Sequence, residues 1–234
     1  MFYRINETVP VLRSRFFVAQ FQEEGGIFMK DLERRAFPVK VEIRSDDTGP
    51  PRLVGYAAVF NTLSEDLGGF REKIKPGAFA NSIKTSDIRA LWNHNPDFVL
   101  GRNKAGTLAL EEDERGLRIE IVPPDTTWAK DLVESIRRGD VDQMSFGFRT
   151  KKDEWDESDP RNIIRTLVEV ELFDVSPVTY PAYPATSIGI RSAKEILEAH
   201  SAAQASVKAA EIEAQRNQAR VSVLRRKLEL LEKF

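Results

Sequence analysis

The chain has 234 residues and a net charge of -2, because 35 lysines and arginines nearly balance 37 aspartates and glutamates. That length carries one sizeable core plus an appendage, and the balance gives no sign of a general nucleic-acid binder, local basic patches aside. The absence of cysteine removes cysteine proteases, disulfide scaffolds, iron–sulfur clusters and thiolate zinc sites together, and it fits a reducing compartment.

Residues 1–35 mix charges and aromatics without a sustained period and read as an N-terminal arm outside the core. Within them, Glu23-Glu24-Gly25-Gly26 corresponds to purine-rich codons just ahead of Ile27-Phe28-Met29, where a bacterial ribosome-binding sequence would lie. Two readings stand: Met29 is the natural start or a second one, or the segment is a flexible arm. The first residues lack the basic start, apolar run and cleavage site of a secretory signal. No apolar run approaches the ~20 residues of a membrane span. A cytosolic protein with no membrane partner is expected.

Residues 36–190 read as one β-rich domain. Val39, Val41 and Ile43 alternate with polar neighbours and predict a strand. Leu53 to Phe60 and Ile88 to Trp92 are further apolar runs. Leu108 and Leu110, then Leu117, Ile119 and Ile121, predict two strands joined by the polar turn Glu111 to Gly116. A helix follows Pro123-Pro124, capped by Asp125 or Thr126, with Trp128, Leu132 and Ile136 at helical spacing and Gly139 closing it. Met144 to Phe148 and Leu167 to Val178 complete the strands. Many short strands with two helices at most predict a mainly β fold, a closed or nearly closed barrel.

Residues 191–234 contain no proline or glycine. Ala193, Ile196, His200, Ala203, Val207, Ala210, Ala214, Asn217, Val221, Leu224, Leu228 and Leu231 step by threes and fours, a heptad seam interrupted by His200 and Asn217. A coiled-coil-type helix used for self-association or partner binding is expected, against the plainer reading of one helix lying on the domain.

Two histidines, His94 and His200, are too few for the usual zinc hydrolase spacing, and no metal or cofactor is expected. His200 falls on the helical seam. His94, in Leu91-Trp92-Asn93-His94-Asn95-Pro96, ends an apolar strand and is expected to turn at Asn95-Pro96, where a side chain can face a cleft. Taken alone, one histidine is more often structural. Ser145 shares a strand face with Gly147, opposite Met144, Phe146 and Phe148, so small residues would leave room for a peptide. It is equally read as a bystander, and no G-x-S-x-G elbow is present. By alternation Asp174 shares a face with Val168, Val170 and Leu172, where a carboxylate needs a partner. Orienting a histidine would supply one, as would a backbone hydrogen bond. Glu169 and Glu171 read as solvated charges.

In order along the chain stand Gly55-Tyr56-Ala57-Ala58-Val59-Phe60, Gly77-Ala78-Phe79, Asn93-His94-Asn95 and Leu100-Gly101-Arg102. Gly139, Met144-Ser145-Phe146-Gly147-Phe148 and Asp174-Val175-Ser176-Pro177-Val178-Thr179-Tyr180-Pro181-Ala182 follow. This ordered set, all within 38–190, resembles the prohead serine protease family of tailed phages. The resemblance implies an assemblin-like β-barrel flanked by helices, with histidine and serine of the catalytic site at His94 and Ser145. The family's third position is commonly glutamate in a Glu-Val-Ser motif. Here Asp174 stands there, one methylene shorter, with Glu171 as the alternative third member.

The resemblance places the oxyanion donors after that third member. This points to the loop Thr179 to Ala185, stiffened by Pro181 and Pro184, and to the N–H groups of Ala182 or Tyr183. It implies scaffold, capsid precursor and the protease itself as substrates inside the assembling prohead in the host cytoplasm, with the C-terminal helix as a scaffold-binding or assembly segment. The competing classes are a non-catalytic assembly protein and a hydrolase of small esters.

Overall fold

A computed structural model describes residues 32–37, 41–44, 50–180 and 187–231. The strands are β1 (Glu33–Phe37), β2 (Glu42–Arg44), β3 (Arg52–Val59), β4 (Arg71–Ile74), β5 (Arg89–Trp92), β6 (Asn95–Arg102), β7 (Leu108–Glu112), β8 (Gly116–Ile121), β9 (Gln143–Asp156) and β10 (Ile164–Val178). The helices are α1 (Ala80–Thr85), α2 (Thr127–Arg138) and α3 (Ser187–Leu231). The protein is therefore mixed α/β, with ten strands and three α-helices among the described residues.

Two sheets form. One has six strands in the order β1-β9-β10-β5-β6, with β4 also pairing β10; the other has four, β2-β3-β8-β7. Among the described residues no pairing joins the sheets into a closed ring, so the expected barrel closure is not among the pairings. Alternation explains the four-stranded sheet: Leu117, Ile119 and Ile121 of β8 are buried, and Leu53 pairs with Ile121. α2 presses Ala129, Leu132, Val133 and Ile136 inward. Thr126 holds its N-cap position without a side-chain bond, and Gly139 adopts φ 81 at the C-cap, a left-handed conformation that glycine enters without a Cβ penalty.

The chain divides into two units. The first takes the described residues up to Thr62, then Ile74–Glu154, and Thr166 onward through β10. Its core gathers Leu53, Phe79, Leu132, Met144, Phe146, Phe148, Leu172 and Val175, each fully or almost fully buried. Burying one such side chain stabilises by about 1.5–3 kcal/mol.

The second unit takes Leu63–Lys73, Trp155–Arg165 and the described part of Tyr183–Phe234. Leu67 and Phe70 form its small core, with Trp155, Ile163, Ile196 and Leu197 packed on them. Arg165 and Glu72, both buried, pair at 3.0 Å. His200, read from sequence as a polar residue on a coiled-coil seam, instead stacks on Trp155 with ring centroids 4.2 Å apart and bonds Glu157 at 2.5 Å. From Ser201 to Arg226 every residue of α3 is exposed.

Several boundaries differ from the sequence reading. Glu33–Arg35, assigned there to the arm, belong to β1 and pair with β9. Residues 1–31, including Met29, lie outside the described residues, as does Val39. No helix of the described residues is long and apolar enough to cross a membrane.

Candidate active site

His94 owes its position to a turn. Trp92 pairs with Asn95 across β5 and β6, which leaves Asn93 and His94 as a two-residue hairpin loop. Both have positive φ, 54 and 57, the signature of a type I′ turn, whose twist matches that of the flanking strands. The turn thus lies on Asn93-His94, two residues before the expected Asn95-Pro96, and Asn95 opens β6. A side chain in this backbone region costs roughly 1–2 kcal/mol, less for asparagine and histidine than for bulky residues. Such strain persists only where surrounding bonds over-determine it. Here the Asn93 N–H donates to Pro177 O at 3.0 Å, its Nδ2 donates to Thr179 Oγ1 at 3.2 Å, and its Oδ1 accepts Thr179 N–H at 2.9 Å.

Ser145 lies in β9, fully buried, between Met144 and Phe146, which face the core. Its Oγ is 2.7 Å from His94 Nε2. Asp174 lies near the end of β10, beside Arg89 of β5 in a parallel pairing. Its Oδ1 is 2.5 Å from His94 Nδ1 and accepts the Ser176 hydroxyl at 2.7 Å. An ionised carboxylate only accepts. Nδ1 then carries the ring proton, which leaves Nε2 as acceptor for the serine hydroxyl. The structure brings the three together with His94 between Asp174 and Ser145, although 51 residues separate His94 from Ser145 and 80 separate it from Asp174.

Asp174 reaches the site by a route that simple alternation misses. The core takes Leu167, Val170, Leu172 and Val175 of β10, so the two-residue period slips between Leu172 and Val175. Asp174 therefore shares the Ser145 side and not the apolar side of Val170 and Leu172. Gly147, read as room for a peptide, is room for this carboxylate. A Cβ at 147 would run into Asp174 Oδ2 and come within 3.3 Å of its Cγ.

Glu171 goes elsewhere. It lines the same recess as His94 and Asp174, but its carboxylate pairs with Lys151 at 2.8 Å and Arg149 at 3.3 Å. In that recess Asp87 is held at about pKa 2 by its hydrogen bonds to the Arg102 guanidinium. The backbone candidates Ala182 and Tyr183 lie outside the described residues. Sequence reasoning missed the Ser176 bond, for which the i, i+2 spacing from Asp174 on one strand was the available signal. It also missed the Asn93 tie, for which an asparagine before the histidine was the signal.

The profile of the caudovirus prohead serine protease family matches residues 39–201. The prohead protease of Enterobacteria phage HK97 is 32% identical over 131 residues, covering 55% of this chain and 54% of that protein. The prohead protease of Escherichia phage T5 is 30% identical over 137 residues, covering 57% and 59%. The chain thus spans little more than half the length of these curated relatives. Among solved structures, the bacteriophage T4 capsid assembly protease, gp21, aligns over 62% of this chain and 98% of its own, at 10% identity and a TM-score of 0.38. With the family profile spanning most of its length, the chain belongs to the caudovirus prohead serine protease family.

Proposed function

We propose that the protein is a serine endopeptidase in which Ser145 is the nucleophile, His94 the general base and Asp174 the group that orients the base. The observation that carries this reading is the continuous relay Asp174–His94–Ser145, with contacts of 2.5 and 2.7 Å. His94 Nε2 takes the hydroxyl proton as Oγ attacks a peptide carbonyl, then returns it to the leaving amine. Asp174 fixes the tautomer and stabilises the imidazolium, and the Ser176 hydroxyl holds the carboxylate in place. Backbone N–H groups must receive the oxyanion; the loop Thr179 to Ala185, with Ala182 or Tyr183, is assigned that role. Ser145 is fully buried, so attack requires the site to open, which suits an enzyme silent until its substrate is assembled.

The substrates in this reading are scaffold and capsid precursor proteins and the protease itself, cut within the assembling prohead in the host cytoplasm. The name that both relatives carry, prohead protease, supports that setting. The assemblin-like barrel belongs to the same reading, with β1 of one sheet lying against β3 of the other. So do a protease domain over 36–190 and an assembly segment over 191–234. The exposed Val207, Ile212, Val221 and Leu224 of α3 support pairing with a second copy or with scaffold.

A fluorophosphonate probe tests the chemistry. It should label Ser145 in the wild type and label neither Ser145→Ala nor His94→Ala. Labelling that persists without His94, or intact masses of wild type and Ser145→Ala that stay equal with capsid precursor present, would sink the reading.

A further inference from the structure

We infer that Asn93 is a positioning residue that locks His94 to the segment leaving β10, through a side-chain clasp on Thr179. The inference rests on the proposed role of His94 but is carried by separate geometry. Asn93 and His94 occupy the two positive-φ positions of one turn, at 54 and 57. Asn-Gly, Asp-Gly and Gly-Gly are the pairs such a turn prefers, so asparagine suits the first position while histidine stands where glycine is usual. Asparagine tolerates the backbone and adds something glycine cannot: its amide closes a reciprocal pair of bonds on Thr179. Oδ1 accepts the Thr179 N–H at 2.9 Å, and Nδ2 donates to Thr179 Oγ1 at 3.2 Å. The main chain adds a third tie, from Asn93 N–H to Pro177 O at 3.0 Å.

The partners are significant. Pro177 and Thr179 stand three and five residues after Asp174, on the strand that carries the carboxylate and into the segment that follows it. The clasp therefore fixes the backbone of the base directly against the backbone of its orienting group. It also sets where the chain departs toward the loop assigned the oxyanion donors. Asn93 is exposed, so water can satisfy these groups when the clasp is absent. The cost to global stability should then be small, a fall of roughly 2–4 °C in melting temperature. The cost to the alignment of the His94 ring should be larger, because small misplacements of a reacting group are worth far more than the bonds that prevent them.

The test uses the full chain. Asn93→Gly keeps the turn and removes the amide; Thr179→Val removes one exposed acceptor; Thr179→Ser retains it. An imidazole Nδ1–H on a carboxylate at this distance resonates far downfield, and His94→Ala assigns the signal. Asn93→Gly and Thr179→Val should shift or broaden it, and Thr179→Ser should return it toward the wild-type position. On a peptide substrate Asn93→Gly should lower kcat on the order of 10-fold with KM changed less than about 2-fold. An unchanged resonance in both Asn93→Gly and Thr179→Val overturns the clasp, whatever the activity does. If Asn93→Gly melts early, Thr179→Val carries the test alone. A wild type that neither cleaves nor labels would defeat the proposed function instead, and the resonance would still judge the clasp.

Discussion

The strands around Ser145 and the helix α3 treat their side chains in opposite ways. At the site His94 is held at both ring nitrogens, Asp174 accepts from two donors, and the turn carrying the base is tied at three points. Along α3, Ser201 to Arg226 are all exposed, including Val207, Ile212, Val221, Val223 and Leu224. One region is over-determined by its own chain, as a constellation that must hold its geometry has to be. The other shows apolar side chains to water, with Val207, Val221 and Leu224 on one stripe, and an isolated helix gains little from that. In the proposed reading the contrast separates chemistry from assembly, with α3 taking its partner from a second copy or from scaffold.

Removing a member of the relay is the hardest blow to the site. Ser145→Ala and His94→Ala should each lower cleavage on the order of 10³–10⁶-fold, with the double variant little worse, because such groups act as a unit. Melting curves close to wild type would show the fold intact. Asp174→Asn should follow at about 10⁴-fold. Glu171→Gln should stay within about 2-fold, since its charge is matched by Lys151 and Arg149 and not by His94. The opposite ranking would hand the third role to Glu171. Gly147→Ala comes next: its methyl displaces the Asp174 carboxylate, and kcat should fall about 10²-fold. Wild-type turnover in that variant would mean the carboxylate has slack that its neighbours do not suggest.

How much of this could be read from sequence depends on what kind of signal each residue leaves. The alternation of Met144, Phe146 and Phe148 and the helical spacing of Trp128, Leu132 and Ile136 are local, and each marked its element. His94, Ser145 and Asp174 were singled out by chemistry and by the ordered motifs, yet their meeting depends on pairing across three strands, which no local period encodes. The turn at Asn93-His94 was misplaced because proline at Pro96 is a louder turn signal than two non-glycine residues at positive φ. Asp174 was read onto the wrong face because a slip in β10 erases parity, although its need for a partner was real. α1, β4 and the length of β6 left no periodic trace: six, four and eight residues are too short or too polar to show one.

The mildest perturbation sharpens the boundary between the two regions. The seam read from sequence begins at Ala193, which makes a cut after Ser192 look harmless. The structure moves that boundary. Ile196 and Leu197 pack on Leu67 and Phe70, and His200 lies flat on Trp155 with Gln204 beside it at the Glu157 carboxylate. A chain ending at Ser192 exposes that small core, at a cost of roughly 2–4 kcal/mol. A chain ending at Gln204 keeps every one of these contacts, and the residues it removes up to Arg226 are all exposed. It should melt like wild type and cleave a peptide at the same rate, while losing whatever self-association or shell incorporation α3 provides. Charging the stripe instead, with Val221→Asp and Leu224→Asp, should give the same separation without shortening the helix. Sedimentation reads the mass and a peptide assay reads the turnover. If the charged variant and wild type have equal masses and enter precursor shells equally, α3 is a passive extension beyond Gln204. If the Gln204 truncation loses turnover at matched concentration, α3 contributes to the site itself, and the separation of chemistry from assembly fails.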